Sequence, residues 1–233
     1  MSNEGKAEHL ILLVGGNPLP NAVAGKLLIA PGGTITLVHS GGASGTAGIA
    51  QRLRGWLQQQ AVAKTVELKE VEESSATSII RGVRERLEAI SAATVGLHYT
   101  GGTKAMSVHA YRTVEQWAKE KNITAEFSYL DARTLEMVFE PLDNWMIDRR
   151  EYVGRALELK LTDLLRLHGW TLKASTEQPI LPGTAKELLR VHADQCTADK
   201  WAGWLRGDDE AASNHRQAGQ PIIPSSGRAK VYE

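Results

Sequence analysis

The chain is poor in several things that would otherwise narrow its chemistry. Its 233 residues contain one cysteine, Cys196, which excludes an intramolecular disulfide and a cysteine-rich zinc site. It has no excess of either charge, with 27 Lys+Arg against 27 Asp+Glu and a formal net charge of zero. A broad basic face for duplex nucleic acid shows as a high pI or a clustered basic stripe, so direct duplex DNA binding is not expected. No apolar run approaches the roughly 18 residues of a membrane span. The first ten residues, MSNEGKAEHL, lack the basic-then-apolar shape of a signal peptide, and the expectation is a cytoplasmic protein. Two phosphate-binding strings are also missing. Neither GxxxxGK[ST] nor GxGxxG occurs, so nothing points to ATP hydrolysis or a nicotinamide cofactor.

What is present is alternation. His9–Val14, Thr34–His39, Thr65–Val71 and Thr94–His98 are short apolar or alternating runs expected to be strands. Between them, Asn21–Ala30, Thr46–Gln60 and Thr77–Ile90 carry helical spacing. In the last of these, Ile79, Ile80, Val83, Leu87 and Ile90 are expected to face inward. Lys104–Lys121 is a further helix. Ile123–Leu130 and Thr134–Phe139 read as a hairpin turning at Asp131-Ala132-Arg133. Strands alternating with helices of this length predict an α/β fold, a mostly parallel sheet with helices on both faces.

After Pro141 the pattern changes. Arg149–Leu159 reads as a charged helix, Leu161–His168 as a short helix, and Thr184–Arg206 as a further helical region. Gly207–Glu233 is rich in Gly, Pro, Ser and charge and reads as a tail or linker. The division expected is therefore 1–148, 149–206 and 207–233.

In an open parallel sheet, ligands sit beyond the carboxyl ends of the strands. Three strand ends here carry small polar residues: Gly15–Asn21, Ser40–Thr46 and Thr100–Lys104. A helix starting at Thr103 or Lys104 aims free N–H groups at that space, and Lys104 adds a positive charge. On the residues alone, Thr100-Gly101-Gly102-Thr103-Lys104 is an anion-binding turn.

Leu97–Arg112, LHYTGGTKAMSVHAYR, resembles the signature of CRISPR-associated Rossmann-fold (CARF) domains. The nearest branch is the one in which that domain precedes a winged-helix-like connector and a restriction-endonuclease-like effector. Val14–Leu28 and Leu37–Leu53 resemble the same branch's first and second loops. The resemblance covers roughly residues 8–140 and implies a Rossmann-like homodimer that binds a cyclic oligoadenylate across its two-fold axis. In type III CRISPR antiviral defence that second messenger relays activation to an effector. By position, Gly16, Asn17 and Pro18 would line the first loop, and Ser40, Ser44 and Thr46 the second. Thr100, Gly101, Gly102, Thr103, Lys104 and Met106 would form the signature wall, with Met106 packing on an adenine or filling core. Cyclic tetra-adenylate is the ring expected from the resemblance. No other cofactor, no metal and no catalytic residue is expected.

Two other functions fit the resemblance. A ring nuclease would cut its own ligand, needing only an aligned ribose 2′-hydroxyl and cations such as Lys104. A transcription factor would use residues 161–206 as a winged helix, but Lys173, Lys186, Arg190, Lys200 and Arg206 are scattered among acids. His98 and His109 share no metal geometry and read as structural. Glu151, Glu158 and Asp163 are the strongest carboxylates beyond the signature domain. Glu158-Leu159-Lys160 matches the short string of a metal nuclease, but it sits on a helix-like background without a partner strand and reads as a solvated face.

Overall fold

The computed structural model describes residues 6–140, 149–154 and 159–171. In chain order the elements are β1 (Ala7–Leu13), α1 (Leu19–Leu27), β2 (Ile29–Ser40), α2 (Ala47–Gln59), β3 (Thr65–Val71) and α3 (Ala76–Glu88). There follow β4 (Thr94–His98), α4 (Lys104–Lys121), β5 (Thr124–Asp131), β6 (Glu136–Phe139), β7 (Arg149–Tyr152) and α5 (Leu161–Leu167). The strands form one sheet in the order β3-β2-β1-β4-β5-β6-β7. All pairs from β3 to β5 are parallel, and β6 and β7 add an antiparallel edge. This is the Rossmann-like α/β sheet that the alternation predicts.

Helices cover both faces because β1 is apolar on both. Leu10, Leu12 and Val14 pack with Ala22, Leu53, Trp56, Leu57 and Leu167, from α1, α2 and α5. Ile11 and Leu13 point the other way, to Ile79, Val83, Leu87, Val114 and Trp117 of α3 and α4. No helix among the described residues is long and apolar enough to cross a membrane.

Three sequence expectations need correction. Ile80 is exposed rather than inward, because the buried stripe of α3 runs through Ile79, Gly82, Val83 and Leu87. β2 starts at Ile29, not Thr34. Between the pairs Ala7↔Ile29 and His9↔Thr34, the Pro31-Gly32-Gly33 stretch bulges out of register, with Gly32 at φ +79°. Arg149–Tyr152 is a strand rather than the start of a charged helix. Its backbone extends the sheet beside β6, and an edge strand tolerates charged side chains. Arg149 lies 3.8 Å from the centroid of the Phe139 ring and pairs with Glu126 and Glu151. Contacts divide the chain into Met1–Leu172 and Lys173–Glu233. The second unit lies outside the described residues, as do the helical region Thr184–Arg206, the tail and Glu158.

Two histidines are fully buried in the sheet. His9 Nε2 meets Thr36 Oγ1 at 2.9 Å, and His98 Nδ1 meets Ser128 Oγ at 3.2 Å. Burial, then the Arg86 charge, lowers His9 to about 4, and burial lowers His98 to about 3. Both are neutral in the fold, whereas an unfolded histidine takes a proton near pH 6.5. Stability is therefore fully present above about pH 6.5 and falls with acid by about 1.4 kcal/mol per pH unit for each histidine. The His9 contribution is lost by about pH 4 and the His98 contribution by about pH 3. Urea midpoints should drop steadily from pH 7 to pH 5; a flat profile over that interval contradicts this assignment.

Candidate functional site

The strand order reverses direction at the β1–β4 pair. From β1 the chain moves outward through β2 to β3, and from β4 it moves the other way to β5. Loops leaving neighbouring parallel strands in opposite directions open a crevice, the usual place for a ligand in such sheets. The two loops here are Gly15–Pro18 and Thr100–Thr103.

These loops touch through bare backbone. A Cβ on Gly15 would stand 2.9 Å from Gly102 N and 3.2 Å from Gly101 Cα. A Cβ on Gly101 would stand 2.8 Å from Gly15 N and closer still to Leu13 O. Gly102 has φ +78°, a conformation that side chains resist. The floor of the crevice is thus peptide backbone, with no side chain in between.

α4 supplies its donors. Thr103 caps the helix, its Oγ1 accepting from Met106 N at 3.2 Å and donating to Glu73 O at 3.4 Å. Ser107 N bonds back to Thr103 O. The amides of Lys104 and Ala105 have no partner among the described residues, as expected for a helix start. Lys104 is exposed and makes no ion pair among the described residues. Thr100 is exposed; its Oγ1 accepts from Leu130 N at 2.7 Å, which leaves the hydroxyl proton free to donate.

The first loop contributes space rather than donors. Gly16 and Asn17 are exposed, with nothing within 4 Å of a Cβ on Gly16. Asn17 Oδ1 accepts from Leu19 N at 3.0 Å, and Pro20 has no N–H, so the start of α1 is largely closed to an anion. Pro18 is buried beneath the loop.

The remaining expected residues divide. Met106 is buried in the core beside Leu13 and does not line the crevice; of its two expected roles, filling core is the one observed. Ser40 is buried, and its hydroxyl lies 3.4 Å from Thr46 Oγ1 and accepts from Thr46 N at 3.2 Å. Thr46 Oγ1 in turn accepts from Ser40 N at 3.1 Å, so this pair closes the second loop on itself. Ser44 is exposed. The Glu70 carboxylate lies against Gly41 of the same loop, which makes that end less hospitable to phosphate than the α4 end. His98 is fully buried and cannot reach a ligand, and Asp131 closes the hairpin turn by accepting from Arg133 N at 3.0 Å. No cluster of metal-ligating residues occurs among the described residues.

Two supports were not read from the sequence. Tyr99 and Tyr111 both donate to Glu140, the latter at 2.6 Å, which ties the end of β4 to α4 and to the end of β6. Burial first, and Glu140 second, raises both phenols, so they remain protonated donors. Asn21, in the first turn of α1, donates from Nδ2 to Leu13 O at 2.8 Å. A polar residue on an apolar helix face was the only sequence signal for it.

No family model matches the chain, and no curated protein sequence matches it. Solved structures do. Can2 from Sulfobacillus thermosulfidooxidans, in complex with cyclic tetra-adenylate, is similar over 70% of this chain and 39% of its own, with TM-score 0.53 and 20% identity. Protein VC1899 from Vibrio cholerae is similar over 68% of this chain and 38% of its own, with TM-score 0.52 and 13% identity. The chain spans less than half the length of either structure, and the likeness is one of fold.

Proposed function

We propose that this chain is the CARF-type sensor of a type III CRISPR antiviral system and that it binds a cyclic oligoadenylate, cyclic tetra-adenylate first among them. The observation that carries this reading is the junction of the two glycine turns at the β1–β4 reversal. There a backbone floor lies beside the start of α4, where the Lys104 and Ala105 amides and the exposed Lys104 side chain have no partner among the described residues. Amides at a helix start with a lysine beside them suit a phosphodiester, and a floor without side chains lets the sugar-phosphate chain approach closely. The resemblance of Leu97–Arg112 to the CARF signature supports the same reading. So does the fold shared with Can2, whose structure holds cyclic tetra-adenylate.

One chain presents one such set of donors. A ring with repeated phosphates is matched by two sets related by a two-fold axis, so the functional unit proposed is a homodimer. Binding would favour whichever arrangement of the two chains holds the ring more tightly, and only that difference in affinity can be passed to an effector.

Titration calorimetry tests this. Cyclic tetra-adenylate should bind with one ring per two chains and more tightly than either the cyclic hexamer or linear tetra-adenylate. Absence of binding by both rings at high micromolar concentration would overturn the reading.

A further inference from the structure

We propose that Asn21 is a positioning residue for the Thr100–Lys104 turn, acting through the main-chain carbonyl of Leu13. The inference rests on the reading of that turn as a ligand site.

Asn21 is fully buried in α1, among Ala22, Val23, Ala24 and Gly25. Its Nδ2 donates to Leu13 O at 2.8 Å, while its Oδ1 is buried with no hydrogen-bond partner among the described residues. A buried amide that satisfies only one end is a poor choice for stability, since an unpaired buried acceptor bears its full desolvation cost. An apolar residue would suit this helix face better if packing were all that mattered. What the asparagine does supply is a donor aimed at one atom.

That atom is the pivot of the crevice. Leu13 O is the nearest atom to any Cβ built on Gly101, and Gly15, two residues further along, meets Gly101 and Gly102. The carbonyl therefore fixes how closely the turn after β4 approaches β1, and with it the direction of the α4 start. The ladder towards β4 stops at this level: β1 pairs with β4 as far as Leu12↔His98. Beyond it, β2 still holds one side of the β1 end through Val14 N and Val38 O, and Asn21 holds the Leu13 carbonyl on the other.

The test is hydrogen exchange on the unliganded protein, followed by ring binding. Asn21→Ala should speed exchange of the two amides that the turn holds, Met106 N on Thr103 Oγ1 and Leu130 N on Thr100 Oγ1, by about tenfold or more, beyond any change in β3, and weaken the affinity for cyclic tetra-adenylate by a similar factor. A uniform rise across the core, or an unchanged turn, overturns the proposal. If Asn21→Ala does not fold, the wild type decides: the Asn21 side-chain amide protons should exchange slowly, one of them as a hydrogen-bonded donor, and both exchanging freely would refute it. A local rise in exchange with a wild type that binds no ring would keep Asn21 as the positioning residue and remove the ligand assignment.

Discussion

Replacing Lys104 by alanine should weaken cyclic tetra-adenylate binding by about tenfold to a hundredfold, the equivalent of one lost charge-assisted hydrogen bond. The same change should leave the thermal midpoint unchanged or raise it slightly. Lys104 is the first residue of α4 and exposed, where the helix dipole is already positive. A cation there costs roughly 0.3–1 kcal/mol when nothing negative is near. It has no carboxylate partner among the described residues to offset that cost. A cation placed unfavourably for folding, at a helix start beside free amides, suits the anion of the proposed ligand. Calorimetry beside differential scanning separates the two effects. Equal affinity in the mutant, or a fall in midpoint of several degrees, would remove Lys104 from the site.

Gly101→Ala should be far more damaging, and Gly16→Ala far less, although both glycines belong to the same crevice. The new methyl at 101 would strike Leu13 O and lie 2.8 Å from Gly15 N, both backbone atoms of a buried strand end that cannot swing aside. Overpacking of this kind typically costs about 1–3 kcal/mol. Relief would require β1 and β4 to part at the proposed ligand site, so binding should fall below detection even where the mutant folds. A methyl at 16 meets nothing within 4 Å, and its effect on stability should stay within about 0.5 kcal/mol. Urea denaturation of the two variants checks the contrast. Equal destabilisation would mean that the two turns do not meet as described.

Much of this fold is legible in the sequence because punctuation and periodicity coincide. β3, β4 and α4 begin and end where expected, each apolar run being closed by polar or glycine residues. Where the two signals part, the reading fails. Pro31-Gly32-Gly33 looks like a turn but is a bulge within β2, because the neighbouring strand β1 supplies a ladder on either side of it. Arg149–Tyr152 has no apolar period, since an edge strand is held by backbone bonds rather than by burial of its side chains.

The candidate site can be proposed from its residue types, but its contacts are not legible in the sequence. Small residues at three strand ends mark the carboxyl edge of the sheet, where the proposed site lies. That Gly15 and Gly101 touch follows from β1 and β4 being neighbours, which no local pattern reveals across so long a separation. The hydroxyls of Ser40 and Thr46 looked like donors for a ligand, but in the fold they serve each other. Met106 illustrates the same limit: one turn into a helix, a methionine faces either ligand or core, and only the position of Leu13 and Gly102 decides for the core. Asn21 closes the first polar strand end, but its bond to the Leu13 carbonyl leaves no trace in side-chain periodicity.

The most direct test of the central claim is a titration of ¹⁵N-labelled protein with cyclic tetra-adenylate, following backbone amide shifts. The largest changes are expected at Gly16, Gly101, Gly102, Lys104 and Ala105, with smaller ones at Ser44 and little in α3. Changes centred on the α3 surface, or a saturated spectrum in which the Gly101–Ala105 amides have not moved, would contradict it.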